Sequence, residues 1–257
     1  MKTKETTLPT FSDDGVLHFT LPTRWAELTQ KQLRYVFFAR ALYGERAAEY
    51  ILCRFLGLVI VRKDATGWLC AVATDKGEVM FTLTADMLVG HLEQVDFLLN
   101  VPETPVRFDA IGGLHAVDAM LHGVPFATWL KVENYYQGYL MSGRDEALDG
   151  IIRQLYKGDK VERNCFTSVQ RLMAFAWVAA LKECFTRQFP DLYAPALGDG
   201  GEAPDVTAAM NAQIRALTGG DITKESLVLE SDTWRALTEL NEKAREAKEL
   251  RKQLNKK

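Results

Sequence analysis

The residues whose types and spacing could hold a metal ion are His115, Asp118 and His122. Imidazole and carboxylate groups are common zinc ligands, and on a helix these spacings would place the three side chains on one face. Gly123 and Pro125 follow directly and argue against a regular helix here. No fourth ligand is evident in the sequence, so we expect neither a metal ion nor another cofactor.

The cysteines and serines form no pattern that is typical of catalysis. None of the four cysteines belongs to a C-x-x-C pair, and Cys53 and Cys184 lie in apolar helical patterns, where cysteine behaves as a small hydrophobe. The chain also lacks the G-x-S-x-G pattern of nucleophilic serines and the glycine-rich patterns of phosphate-binding loops. The N-terminal residues lack the apolar core of a signal peptide, and we expect a cytoplasmic protein with reduced thiols.

Glu133 is the acidic residue with the most unusual neighbours. Four aromatic residues surround it in the sequence: Trp129, Tyr135, Tyr136 and Tyr139. Burial among aromatic rings would raise the pKa of its carboxyl group. One hypothesis is therefore a small enzyme with a site near Glu133, Tyr136, His115 and His122. The simpler interpretation is a surface glutamate that is hydrogen-bonded to a tyrosine.

The elements that would position these residues are mostly helices, with one exception. Over residues 58–83 the apolar period changes from about 3.6 to 2, which predicts strands at 58–61, 68–73 and 78–83. The two connections carry glycines that favour hairpin turns. The segment therefore predicts a small antiparallel β-meander.

The most apolar segment covers residues 167–189. Its hydrophobic residues recur at steps of three and four, and further apolar residues fill much of its other side. We expect one long helix that is buried all round, with the other elements packed on it. The residues expected in the core of the protein are Phe37, Leu56, Ile60, Leu88, Trp129, Ile152, Leu172, Phe175, Trp177 and Leu181.

These patterns predict an α+β fold that is mainly α-helical, a helical core with a small antiparallel β-meander. Polar residues at 1–15 indicate a mobile N-terminal tail, and a main α+β domain is expected over 16–190. Residues 191–205 are rich in glycine and proline and predict a linker. A helical C-terminal module is expected over 206–257.

The last helix, predicted from about 223 to the end, carries a weak apolar stripe. We expect it to be a docking arm that binds a partner or a second copy of the chain, with the alternative that it packs on its own main domain. The residues expected to bind the partner are Trp234, Leu237, Leu240, Ala244, Ala247 and Leu254. Residues 243–257 carry seven positive and two negative charges, so a nucleic-acid-binding module is a further alternative. The net charge of −3 makes nucleic acid unlikely as the main partner, and no membrane span is expected.

Several longer segments resemble a known class of proteins. They are LPTRWAELTQKQLRYVF, PFATWLKVENYYQGYL with LDGIIRQLY, VAALKECFTRQFPDLY, and MNAQIRALTGGDITKESLVLESDTWRALTELNEKAREAKEL. The positions of their helical and aromatic residues resemble those of uncharacterised proteins of tailed-phage and prophage structural modules. The last segment is similar in style to tail-assembly chaperones. The resemblance implies a non-catalytic assembly or scaffolding factor of a phage-like particle, which acts in the host cytoplasm and binds tail components.

Overall fold

The computed structural model of the protein describes residues 9–12, 14–158, 165–194 and 206–254. It is a mainly helical α+β structure with two small three-stranded antiparallel sheets, which confirms the predicted fold class. No helix in these ranges is long and apolar enough to cross a membrane. The chain divides into two compact units, Met1–Pro102 and Glu103–Lys257.

The first unit combines helices with the predicted meander. Its elements are β1 (Thr10–Phe11), β2 (Leu17–His18), α1 (Gln30–Tyr43), α2 (Ala47–Leu56), β3 (Val59–Asp64), β4 (Gly67–Thr74), β5 (Gly77–Leu83) and α3 (Ala85–Val95). Thr29 begins α1 with a capping box, in which its side chain and that of Gln32 each accept from the other's backbone N–H. Gly57 ends α2 in the left-handed conformation, with φ of 68°.

The meander has the strand order β3-β4-β5, with antiparallel pairing throughout, as the alternating pattern predicts. Gly67 begins β4 with φ of 147°, and a Cβ atom there would lie 2.3 Å from the carbonyl oxygen of Leu83. Only glycine therefore lets the turn before β4 approach the end of β5 so closely.

Ile60 corrects the predicted core. It lies on β3, every residue of which is exposed, whereas Phe37 and Leu56 are buried as expected. Among the described residues β3 is an edge strand that pairs with β4 alone, and Ile60 lines an open cleft instead of a closed interior. The apolar pattern predicts the strand correctly, but it does not predict what covers the strand.

The second unit is built mostly from helices. Its elements are β6 (Ala110–Ile111), β7 (Leu114–Ala116), α4 (Phe126–Ser142), α5 (Asp145–Leu155), β8 (Tyr156–Lys157), α6 (Ser168–Gln188), α7 (Val206–Thr218), α8 (Glu225–Glu230) and α9 (Thr233–Leu254). The short strands β6, β7 and β8 form the second antiparallel sheet, and a turn at Gly112 and Gly113 joins the first two.

The helix predicted at 167–189 is α6, and its middle is almost completely buried. Trp177 is fully buried, and its indole Nε1 donates a hydrogen bond to the carbonyl of Ala119 at 2.8 Å. Other elements do pack on this helix, among them α4, α5 and Trp234 of α9, but another helix has more helical neighbours. That helix is α4, which contacts α5, α6, α7, α8 and α9 and is therefore central to the packing of the second unit.

The predicted C-terminal helix is interrupted. α8 ends at Glu230, and α9 begins only at Thr233, because Asp232 caps a new helix by accepting from the backbone N–H groups of Trp234 and Arg235. The sequence pattern alone treats these two helices as one.

The other predicted domain bounds can be compared with the structure only where the residues are described. The boundary between the two units falls inside the predicted 16–190 domain, and α7, α8 and α9 belong to the second unit. Most of the predicted 191–205 linker lies outside the described residues, as do residues 1–8 of the predicted tail. Within that tail, Thr10–Phe11 pairs with Leu17–His18.

Candidate protein-binding surface

The structure divides the predicted partner-binding residues into two groups. Leu237 and Leu240 are buried inside the second unit, and Trp234 is half-buried there. Trp234 packs against the rings of Phe185 and Phe189, with ring centroids 5.4 Å and 5.5 Å away. These three α9 residues therefore contribute to packing within their own unit, and a role for them in binding a partner stays a prediction.

The first turn of α9 is also tied to the loop that precedes α4. The side chain of Asp232 accepts a hydrogen bond from the backbone N–H of Gly123, and Thr233 donates to the carbonyl of Val124 through both its N–H and its hydroxyl. Trp234 donates from Nε1 to the carbonyl of Met120 at 2.6 Å. Because these bonds satisfy the loop's backbone, α9 begins as a structural element of its own unit.

The second half of α9 has a different environment. Ala244 is half-buried, and Ala247 and Leu254 are exposed, so a role for them in binding stays a prediction. The basic charge at this end is partly compensated, since Arg245 lies against Glu242 and Lys248 against Asp191. Such pairing weakens the local positive field that binding to nucleic acid requires.

The residues of the hypothetical enzyme site have different interaction partners. Glu133 on α4 accepts hydrogen bonds from Lys182 on α6 and from Gln137 at 2.8 Å, so the predicted tyrosine partner is not the one that it has. The ring of His122 lies 3.0 Å from the carboxylate of Asp118, measured from Nδ1 to Oδ1. His115 is an exposed residue of β7.

The described contacts do not link these four residues into one network. Within the part of the chain that the structure describes, no hydrogen bond, ion pair or ring contact joins His115 or His122 to Glu133 or Tyr136. Burial, with a smaller contribution from the Glu133 carboxylate, raises the pKa of Tyr136 and keeps its hydroxyl protonated. Catalytic groups must reach one substrate by hydrogen bonds, and no described contact gives support to a site that the four residues share.

The strongest candidate for a functional surface lies on β3 of the first unit. We define the β3 surface as Val59, Ile60 and Val61, three consecutive apolar residues that are 63%, 53% and 54% exposed. β3 pairs only with β4, so its other edge presents unpaired backbone N–H and C=O groups among the described residues. An exposed apolar edge strand is a template for pairing with a further strand.

A cleft of about 460 Å³ opens beside the β3 surface, between this strand and α2. Ile60 lies at its rim, and Tyr50, Trp68 and Leu88 supply much of its apolar lining. Cys53 also lines the cleft, and burial raises the pKa of its thiol, so the sulfur is protonated and weakly nucleophilic. The cleft is therefore suited to hold a side chain, and the Cys53 thiol in it is not suited to act as a nucleophile.

The remainder of β3 is protected against pairing. The register shifts between Ile60 and Arg62, so Val61 is the extra residue of a bulge, and Arg62 and Lys63 bring charge to the edge. Lys63 lies over the ring of Trp68, 5.2 Å from its centroid. Bulges and cations are the devices by which proteins limit edge-to-edge aggregation. Val59 and Ile60 lie before the bulge and the cations, so within the β3 surface only Val61 carries such a device.

Reasoning from the sequence missed this surface. An isolated run of Leu58, Val59, Ile60 and Val61 is typical of a buried strand, and only the cations that follow it indicate an edge. The comparisons with known proteins add no information: no protein family model, no curated protein and no solved structure matches this chain.

Proposed function

We propose that the protein is a non-catalytic protein-binding factor, and that its β3 surface receives an extended segment of a partner by strand addition. The resemblance of its helical segments to tailed-phage structural-module proteins supports a finer proposal. In that proposal the partner is a tail component, and the protein acts during assembly in the manner of a tail-assembly chaperone.

The observation that carries this proposal is the exposure of three consecutive apolar residues on an edge strand. Monomeric proteins usually cover or charge such an edge, because it promotes association. In strand addition the backbone hydrogen bonds supply affinity, and neighbouring pockets select alternate side chains. The edge of β3 offers backbone groups for such hydrogen bonds, and the cleft beside Ile60 offers a pocket for a side chain.

Co-purification tests the proposal. The tagged protein is expressed in cells that carry its neighbouring genes, and the retained proteins are identified by mass spectrometry. We expect one structural protein at constant stoichiometry with the native chain, and its loss with Ile60→Glu, because a buried carboxylate at the strand edge would be left without a partner.

The matched control is Met141→Glu at the end of α4, which charges an equally apolar and even more exposed position. It should retain the structural protein. Equal retention by Ile60→Glu would show that β3 is not the binding surface. A native chain that retains no structural protein would remove the assembly role itself.

A further inference from the structure

A second cleft in the first unit combines cations with aromatic rings. It has a volume of about 470 Å³ and lies between α1 and the C-terminal end of α2. Lys31, Arg34, Tyr35 and Phe38 follow one another on α1 at steps of three, one and three residues, so they share a face of the helix. Arg54 reaches the same cleft from α2.

The charge of this cleft has one sign. Lys31 and Arg54 bring positive charge to it, and no carboxylate lines it among the described residues. Residues 29–57, which include both helices, carry five positive and two negative charges, although the whole chain has a net charge of −3. The field at the cleft therefore attracts an anionic ligand against the overall charge of the protein.

The aromatic rings form a connected row along the same two helices. Tyr35 contacts Phe38 and Phe38 contacts Tyr43, with centroids 6.1 Å and 6.5 Å apart, and Tyr43 stacks on Tyr50 at 3.6 Å. The guanidinium of Arg54 lies 5.6 Å from the ring centroid of Tyr35. Phe38 is the ring that solvent reaches most easily, with 43% of its surface exposed.

These contacts distinguish between two classes of anionic ligand. A single-stranded nucleic acid would stack its bases on open ring faces. Here Tyr43 and Tyr50 cover each other, Arg54 covers Tyr35, and the remaining accessible ring is that of Phe38. One apolar contact bordered by cations matches a protein segment in which carboxylates flank an apolar side chain.

We propose that this cleft binds an acidic segment of a partner protein, with carboxylates beside Lys31 and Arg54 and an apolar side chain on Phe38. The proposal rests on the proposed function, since it names the chemistry of a protein that the chain binds. It concerns a surface separate from β3, so the two proposals can fail independently.

Fluorescence anisotropy with the full chain tests the proposal. The probe is a fluorescein-labelled peptide of about twelve residues in which glutamates flank a Leu-Phe pair. A peptide with glutamine in place of each glutamate and a labelled oligothymidylate of about twenty nucleotides are the comparison probes. The test variants are Lys31→Gln/Arg54→Gln and, separately, Phe38→Ser, with Lys131→Gln and Met141→Ser as matched controls on exposed positions of α4.

We expect the acidic peptide to bind with a Kd that rises about tenfold with Lys31→Gln/Arg54→Gln and also with Phe38→Ser, and that is unchanged in both controls. With the native chain, added salt should weaken binding, which tests the charge contribution without any substitution. Ile60→Glu should bind the acidic peptide normally, because it changes only the β3 surface.

Three results would overturn the proposal. They are the absence of acidic-peptide binding up to about 1 mM, equal binding of the glutamine peptide, or equal weakening by Lys131→Gln. Tighter binding of the oligonucleotide, lost in the same test variants, would assign the cleft to nucleic acid instead. If Ile60→Glu abolishes capture of the structural protein while the peptide fails to bind, the proposed function stands and only this inference is lost.

Discussion

The imidazole ring of His122 lies face to face with the indole ring of Trp234, with centroids 4.9 Å apart and planes only 3° from parallel. The same indole donates to the carbonyl of Met120 and packs on Phe185 of α6. Through this one side chain, the start of α9 is attached both to the loop before α4 and to the most buried helix. The predicted docking arm is therefore anchored at its beginning.

Hydrogen exchange should show where this anchoring ends. In α9 we expect slow amide exchange from Leu237 to about Asn241, where Leu237 and Leu240 are buried and Asn241 is half-buried, and fast exchange from Arg245 to Leu254, where all residues are exposed. The amides in the middle of α6 provide the slow reference. If exchange is slow throughout 237–254 in a demonstrated monomer, the whole helix belongs to the core and the arm hypothesis is wrong.

Replacing Trp177 by alanine should destabilise the second unit strongly. The residue is fully buried, contacts the ring of Tyr156 edge to face, and donates to the carbonyl of Ala119. The cavity and the unsatisfied carbonyl together should cost about 3–5 kcal/mol of unfolding free energy. Urea unfolding measures this cost, and a loss below about 1 kcal/mol would mean that α6 is not central to the core.

The stability of the second unit should fall in acid, in part through Asp118. Burial would raise the pKa of this carboxyl, but hydrogen bonds from the His122 N–H, the His122 ring and the Met120 N–H outweigh it and hold the pKa below its ordinary value of 3.8. Asp118 therefore contributes stability above about pH 4, which is lost as the pH falls through its lowered pKa.

Asp118→Asn should consequently reduce the acid-side slope of stability against pH. The effect should stay below about 1 kcal/mol, because the side chain is about half exposed and water screens its interactions. Urea unfolding at several pH values measures the slope. Glu230→Gln, at an exposed position on α8, is the control and should leave the slope unchanged, whereas a native slope in Asp118→Asn would contradict the assignment.

Gly67→Ala should disrupt the meander of the first unit. The new Cβ would meet the Leu83 carbonyl oxygen at 2.3 Å, and the backbone φ of 147° is one that alanine rarely adopts. We expect a loss of at least about 2 kcal/mol in urea unfolding. Gly77→Ala separates the two effects, since its φ is 119° but nothing lies within 4 Å of the added Cβ. An equal loss in both variants would show that the close approach to Leu83 is unimportant.

The pair between Glu133 and Lys182 offers a test by compensation. Both side chains are mostly buried, at 21% and 28% exposed, so Lys182→Met leaves a carboxylate without its cation. We expect this change to cost about 1–3 kcal/mol and the addition of Glu133→Gln to recover most of the loss. If the double variant is no more stable than Lys182→Met, the lost stability comes from packing of the lysine stem instead of from charge.

The helices and hairpins that are specified by residues close together in the chain were predictable from the sequence. The apolar period predicts the helix at 167–189, which the structure describes as Ser168–Gln188 with Thr167 as its capping residue. Alternation and glycine turns likewise define the meander between Val59 and Leu83. Hydrogen bonds of a helix turn and of a hairpin join near neighbours, so the local sequence is sufficient to specify them.

What covers each element was decided only by the tertiary structure. Ile60 has a side chain as apolar as that of Leu56, yet one faces an open cleft and the other a closed core, because β3 is the edge strand of its sheet among the described residues. Trp234 and Leu237 form an apolar stripe that a partner could have filled, but their own unit fills it. Whether a residue is buried depends on segments that are distant in the chain. The sequence pattern around the residue does not show whether such a segment packs on it.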